Sequence, residues 1–334
     1  GYMSSLNPVM IYHLKKKSAF LKKKIKYKKN YFTLDIGSND GTFINLFKGP
    51  NKFAIDPTIK KLKKHYKKNI YKLPCVFEKG YKNIKNKKFN LITAIAMFYD
   101  LKDPLSFIKK IKTILRNDGI FHIEVAYLPE IIKTFAYDGF CQEHYEYYSL
   151  LSLQYLCKKS GMKIIDFGFN NINGGSIWVN IAHINSNFKS NEIKIKKQIN
   201  NEIKKKMHKP DTFKKYFKKV FKHARRINSI LTRLKKRNKS LYGFGASTKG
   251  NVLLQISKTD NNLLNGIFEV NKEKFNKFTP HSKIKIIDEK KIKKMKVDYI
   301  LLLIWHFRGY VISKIKKYNK KVKIIVPFPK IKII

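Results

Sequence analysis

Three stretches carry residue types at spacings that can do chemistry: Asp35-Ile36-Gly37-Ser38-Asn39-Asp40-Gly41, Gln142-Glu143-His144-Tyr145 and Gly243-Phe244-Gly245-Ala246-Ser247-Thr248-Lys249-Gly250. The first, Asp-x-Gly-x-x-x-Gly, follows an apolar run and precedes a helical pattern over Thr42–Phe47. Gly37 lets the backbone approach a ligand closely, and Gly41 lets a helix start tightly against it. The positive end of that helix favours a carboxylate. Asp56 ends the next strand, where a carboxylate can accept hydrogen bonds from both hydroxyls of a ribose. A ligand with a ribose and an amino-acid carboxylate but no pyrophosphate suits this departure from Gly-x-Gly-x-x-Gly, so the motif points to S-adenosylmethionine (SAM) rather than NAD. The plainer alternative, a tight strand-to-helix turn with a surface aspartate later, does not account for Asp56 in that place. The expected cofactor residues are Asp35, Gly37, Ser38, Asn39, Gly41 and Asp56, with Ala96 and Met97.

In the second stretch, His144 has an ordinary pKa near 6.5 and can take a proton at neutral pH. A carboxylate such as Glu143 can orient the ring and stabilise the imidazolium. Neighbours in sequence need not face each other, so two ordinary polar loop residues are the competing reading. Tyr145, Tyr147 and Tyr148 either line a sugar pocket or simply pack. In the third stretch, backbone N–H groups of a glycine loop can cradle a phosphate, and Lys249 can add a point charge. It is not a P-loop, because the spacing before Gly-Lys is wrong; a structural turn is the alternative. Gly174-Gly175 before Ser176 marks either a hairpin or bulge, or a close approach to a ligand.

The elements that must position these residues alternate. Tyr31–Ile36, Lys52–Ile55, Asn90–Ala96 and Gly119–Ala126 read as strands, with a helix at Phe107–Leu115. A more irregular region over 128–185 ends in a strand at Ile177–Ile184. From 240 the rhythm returns, with strands at Ser240–Phe244, Asn265–Glu269, Tyr299–Ile304 and Val322–Val326 and a helix at Asn251–Ile256. Strands alternating with helices imply parallel βαβ units. The expected fold is therefore α/β: a doubly wound, Rossmann-like SAM-binding domain followed by a second, smaller Rossmann-like domain with a parallel sheet. The boundaries are 1–30 for an N-terminal segment and helix, 31–186 for the methyltransferase domain, 187–239 for a lysine-rich helical connector and 240–334 for the C-terminal domain.

Composition bounds the function classes. A chain of 334 residues suffices for two domains, and 43% hydrophobic residues rule out global disorder. The net charge of +51 invites a polyanionic partner. The charge is nearly all lysine, however, whereas nucleic-acid readers lean on arginine forks. An AT-rich coding bias spread over the surface explains it better, and no nucleic acid is expected. Cys75, Cys141 and Cys157 have no metal spacing, which fits a reducing cytoplasm and no metal site. No apolar run reaches the length of a membrane span, so no membrane is expected.

These motifs together resemble the SAM-dependent sugar C-methyltransferases that act on nucleotide-linked 4-keto-deoxyhexoses. The matching strings are Asp35–Thr42, Met97-Phe98-Tyr99-Asp100-Leu101 with Asp103-Pro104, Glu124 with Tyr127-Leu128-Pro129, Cys141–Ser149, Asn170–Ser176, Tyr242–Asn251, Trp305-His306-Phe307-Arg308 and Pro327-Phe328-Pro329. They run in order over nearly the whole chain. The resemblance implies that His144 acts as base beside Glu143, and that the C-terminal domain helps to hold the nucleotide sugar. It implies substrate contacts at Tyr2, Tyr99, Tyr145, Asn173, Gly175, Ser176, Tyr242, Gly245, Ser247 and Lys249. Zinc belongs to an N-terminal cysteine-rich module of the family, which this chain lacks. Gln142 and Asp100 depart from histidines found in other members. The expected reaction is methyl transfer from SAM to C3 of a nucleotide-linked 4-keto-deoxyhexose in deoxysugar biosynthesis. The alternatives are an RNA or small-molecule O- or N-methyltransferase, and a binding protein without turnover.

Overall fold

The structure, a computed structural model, describes residues 3–334, which divide into two compact units. The first holds the chain up to Leu128 together with His144–Lys205; the second holds Pro129–Glu143 and Lys206–Ile334.

The first unit begins with α1 (Pro8–Lys24), started by Asn7, whose side chain accepts from the amides of Val9 and Met10, and by Pro8 in the first turn. There follow β1 (Thr33–Ile36), β2 (Lys52–Ile55), α2 (Ile59–Leu62), β3 (Ile70–Leu73), α3 (Phe77–Gly80), β4 (Phe89–Ile95), α4 (Pro104–Ile114) and β5 (Leu115–Ala126). After α5 (Leu128–Lys133), most of which falls in the second unit, come α6 (Leu150–Lys159), β6 (Met162–Asn170), β7 (Ser176–His183) and α7 (Glu192–Lys204). The sheet order is β3-β2-β1-β4-β5-β7-β6, parallel except where β7 runs antiparallel to both β5 and β6. β1 is buried at every residue, and β4 nearly so, as central strands covered on both faces must be. The chain turns one way from β1 to β2 and returns on the other side as β4. The carboxyl ends of β1 and β4 therefore flank the topological switch point, where doubly wound sheets bind ligands.

Two local expectations fail here. The segment expected as a helix over Thr42–Phe47 makes only a 3-10 turn, Ile44–Leu46. Gly49 (φ +93°) and Pro50 turn the chain toward β2 at Lys52, and the space beside Gly49 is filled by the Lys29 carbonyl. No helix dipole thus faces a ligand after Gly41. The region expected to be irregular contains α6 and β6. α6 is started by a capping box between Ser149 and Ser152. Glu202 of α7, 1% exposed, accepts from the Leu150 and Leu151 amides (both 2.9 Å) and from the Tyr127 hydroxyl (2.6 Å).

The second unit contains α8 (Pro210–Lys236), β8 (Leu241–Phe244), α9 (Thr248–Ile256), β9 (Ile267–Glu269), β10 (Ile286–Asp288), β11 (Tyr299–Leu302), α10 (Arg308–Tyr318), β12 (Lys323–Val326) and β13 (Lys332–Ile333). α8 buries Tyr216, Val220, Ala224, Ile227, Leu231 and Leu234, an apolar stripe at helical spacing, and leaves its lysines in water. The sheet order is β10-β9-β8-β11-β12-β13. It is parallel as expected except for β13, which pairs antiparallel at the edge. Its switch point lies between β8 and β11. No helix among the described residues is long and apolar enough to cross a membrane.

Glu202→Gln leaves one amide oxygen where two carboxylate oxygens served three donors. The variant should lose about 1–3 kcal/mol of stability in urea unfolding; a midpoint equal to wild type would contradict this account of α7.

Candidate active site

The glycine turn follows β1. Asp35 is 3% exposed; its Oδ1 accepts from Thr93 Oγ1 on the adjacent strand at 2.7 Å, and its Oδ2 is buried without a hydrogen-bond partner. Burial raises its pKa to about 7, against the Thr93 hydrogen bond. Gly37 has φ +71°, and a Cβ there would lie 2.6 Å from Met97 Cγ. Only glycine fits. Asn39, also left-handed (φ +52°), donates its amide to Asp56 Oδ2 at 2.9 Å. Asp56 Oδ1 accepts from the Thr58 amide (2.7 Å) and hydroxyl (2.6 Å), so the acid that ends β2 is bolted to the turn. Ala96 (φ +56°) follows β4 and donates its amide to the Glu124 carbonyl at 2.8 Å.

Tyr66 and Thr58 belong to no motif and were not found from sequence. The Tyr66 hydroxyl donates to the Asn39 carbonyl (2.7 Å) and meets Ser38 Oγ (2.8 Å). Its ring occupies the space beside Gly41, where a Cβ would come within 2.7 Å. Burial pushes the Tyr66 pKa up and keeps the hydroxyl protonated. The chain thus offers a buried acceptor oxygen without a partner, a turn into which no side chain can intrude, and a carboxylate after β2. These features fit SAM, which brings an amino group, a close-packed backbone contact and a ribose.

His144 is partly buried, its ring against Tyr99 with centroids 4.0 Å apart and planes at 37°. Tyr99 lies in the 3-10 turn directly after β4, and its carbonyl accepts from the amides of Tyr145 (2.9 Å) and Glu146 (3.1 Å). The segment carrying His144 is therefore fastened to the same sheet edge as Met97. Tyr145 is 55% exposed, with the Lys102 ammonium 5.5 Å from its ring centre. Ser176 is buried, its hydroxyl donating to the Ile172 carbonyl at 2.9 Å, while Asn173 (φ +54°) and Gly175 (φ +117°) shape that turn. Glu143 is exposed and belongs to the second unit. Tyr2 lies outside the described residues.

A buried carboxylate on β5 was absent from the expected site. Glu124, 3% exposed, meets His13 Nε2 at 2.6 Å and the Lys17 ammonium at 2.8 Å, both from α1. Burial alone would raise its pKa, but His13 and Lys17 outweigh that and hold it down at about 2. Nothing in the sequence pairs positions so far apart; the alternation of β5 only marks Glu124 as inward-facing.

In the second unit several amides of the glycine loop are bonded within the chain. The amides of Gly243, Gly245 and Ser247 donate to the carbonyls of Gly266, Phe268 and Gly245. The Ala246 amide donates to Glu269 Oε2 (2.9 Å), and the Gly250 amide to Ser247 Oγ (3.0 Å). Gly245 has φ +91° with Ile304 packed where a Cβ would sit. These five amides are thus spent, and Ser247 serves as the N-cap of α9. Tyr242, 6% exposed, stacks on Phe268 at 4.9 Å. Burial lowers the Lys249 pKa, with the Asp138 carboxylate opposing. Asp138, 1% exposed, accepts from Trp305 Nε1 at 2.8 Å; burial raises its pKa to about 6 against the pull of Lys249.

A doubly wound sheet with a glycine turn at its switch point and a carboxylate after the second strand defines a Rossmann-like protein that binds a nucleoside cofactor. A family model described as a methyltransferase domain matches residues 10–166, and one described as the C-methyltransferase C-terminal domain matches residues 171–329. The C-methyltransferase NovU of Streptomyces niveus is 24% identical over 339 residues, covering 100% of this chain and 80% of that protein. Among solved structures, the mitomycin 7-O-methyltransferase MmcR aligns with TM-score 0.40 and 14% identity over 53% of this chain and 55% of its own. A putative methyltransferase of Bacillus halodurans gives 0.40 and 11% over 51% of this chain and 99% of its own. The two family matches, end to end, with the full-length similarity to NovU, make this protein an SAM-dependent C-methyltransferase.

The raised pKa of Asp35 fixes the sign of a pH effect. The folded state holds this proton more tightly than the unfolded chain, so the associated stability is full below the ordinary carboxylate pKa and is lost as pH rises through about 7. Asp35→Asn keeps the acceptor for Thr93 and cannot ionise. Its unfolding temperature relative to wild type should therefore be more favourable at about pH 8 than at about pH 5; a difference independent of pH would contradict the assignment.

Proposed function

We propose that the protein methylates C3 of a nucleotide-linked 4-keto-deoxyhexose, with His144 as the base. The observation that carries this reading is the seat of His144: partly buried against Tyr99, at the carboxyl end of β4, on the sheet edge that bears the Gly37 turn and Met97. A ketone at C4 makes the C3 proton acidic, which is what methylation at carbon needs and methylation at oxygen or nitrogen does not. SAM supplies, when bound, a methyl group activated by its sulfonium. Asp35 would accept from its amino group, the backbone of Gly37–Gly41 with Ala96 and Met97 would line its seat, and Asp56 would accept from its ribose hydroxyls.

His144 Nε2 or Nδ1 takes the C3 proton, and Glu143 stabilises the imidazolium. Hydroxyl donors such as Tyr99 and Tyr145 steady the negative charge that develops on the C4 oxygen. Asn173, Gly175 and Ser176 shape the sugar side of the first unit. In the second unit Lys249 supplies positive charge for the diphosphate, with Tyr242, Gly245 and Ser247 holding its loop in form. The protein's largest contribution is alignment of the sugar carbon with the methyl group and exclusion of water.

His144→Asn should slow solvent exchange of the C3 proton by about a hundredfold or more, the scale of general base catalysis, and leave S-adenosylhomocysteine binding unchanged. Proton NMR in deuterated water reads the first and calorimetry the second. Exchange at the wild-type rate would remove His144 from the role.

A further inference from the structure

The N-terminal segment touches the cofactor turn directly. The Ser4 amide donates to Asn39 Oδ1 at 3.2 Å, and the Ser5 amide to Asp40 Oδ2 at 2.8 Å. Farther along, the Lys22 ammonium donates to the Leu46 carbonyl at 2.6 Å, closing the 3-10 turn that follows the loop. Between these ends, His13 and Lys17 grip Glu124. Glu124 also holds the cofactor edge from within the sheet, because its carbonyl accepts the Ala96 amide. One buried residue therefore joins the end of β4, by its backbone, to the middle of α1, by its side chain.

We propose that residues 3–24 are a strap that holds the cofactor turn in its binding form, and that Glu124 is the positioning residue that sets the strap. Asn39 stands in a left-handed conformation, gripped on one side by Asp56 through its amide and on the other by Ser4 through its side chain. Asp40 is tied by Ser5 on one oxygen and by Thr42 on the other. With the strap displaced, both side chains lose partners and the turn has more conformations to choose from, which lowers the fraction competent to bind. The Glu124 cluster is a strong anchor for this purpose. Lys17, 7% exposed at its side chain, would be left as a buried cation without its counter-charge if the carboxylate were removed. The helix also buries Met10, Leu14 and Leu21 and sets Phe20 against Trp178, so the Glu124 cluster sets where an already packed helix sits. The inference rests on SAM binding by the first unit and not on the identity of the methyl acceptor.

The test is S-adenosylhomocysteine affinity by calorimetry together with trypsin cleavage at the exposed Lys15, Lys16, Lys23 and Lys24 of the strap. In wild type the ligand should slow these cleavages. In Glu124→Gln the dissociation constant should rise about tenfold or more, as expected for a loop that spends most of its time out of its binding form, and the ligand should no longer protect the strap. Glu202→Gln, another buried carboxylate of the same unit but outside the strap, should lower the unfolding midpoint without moving that affinity. Should Glu124→Gln fail to fold, His13→Ala keeps the Lys17 pair and should show the same changes in smaller measure. A folded Glu124→Gln or His13→Ala protein with wild-type affinity and intact protection overturns the strap. A wild-type protein that does not bind the ligand would instead overturn the cofactor assignment beneath it.

Discussion

The left-handed turn at Gly37 is the constraint from which the first unit's chemistry follows. β1 must stop between β2 and β4, and the chain must leave its end sideways with Met97 already packed against it. Any side chain there would strike Met97, so the backbone itself forms the wall of the crevice. The register that pairs Asp35 with Thr93 sets a carboxylate with one unpartnered oxygen at the head of this wall. Asp56 is fixed to the same turn through the Asn39 amide. The tyrosine beside Gly41 and the amides of Ser4 and Ser5 also bond or pack against that short turn.

Three buried carboxylates show how environment divides similar groups into different roles. Asp35 has a single hydroxyl donor, and burial dominates, so its pKa climbs to about 7. Glu124 is as deeply buried but faces an imidazole and an ammonium, and stays ionised at about 2. Asp138 in the second unit lies between these, at about 6, with an indole N–H and Lys249 to oppose its burial. A carboxyl with spare capacity suits an incoming amino group; one already saturated by its own chain suits anchoring. His144 is placed differently again, by ring contact with Tyr99 and by two amides bonded to the Tyr99 carbonyl, so its segment inherits its position from the turn after β4.

Much of this was legible in the sequence where local rules decide the outcome. The glycine turn, Asp56 after β2 and the alternation of strands with helices are short-range patterns with one comfortable solution, and the edges of β2 and of β4 fall within a residue of their expected places. The helix expected after Gly41 is replaced by a 3-10 turn at Ile44–Leu46, after which Gly49 turns the chain toward β2. The loop at Gly243–Gly250 reads like a phosphate cradle by composition; that the Ala246 amide goes to Glu269 and those of Gly243, Gly245 and Ser247 to carbonyls is something no spacing rule foretells. Glu124 with His13 and Lys17, and Glu202 with α6, join positions far apart in the chain. Sequence periodicity marks such residues as inward-facing without naming their partners.

The central claim is that the methyl group arrives at carbon C3, beside a ketone, after loss of a proton there. The most direct measurement is carbon NMR of the product formed from carbon-13-labelled SAM and a panel of nucleotide-linked 4-keto-deoxyhexoses. The account predicts a labelled methyl resonance coupled to the sugar's C3 carbon. A label found on oxygen, on nitrogen or on a different carbon would contradict it.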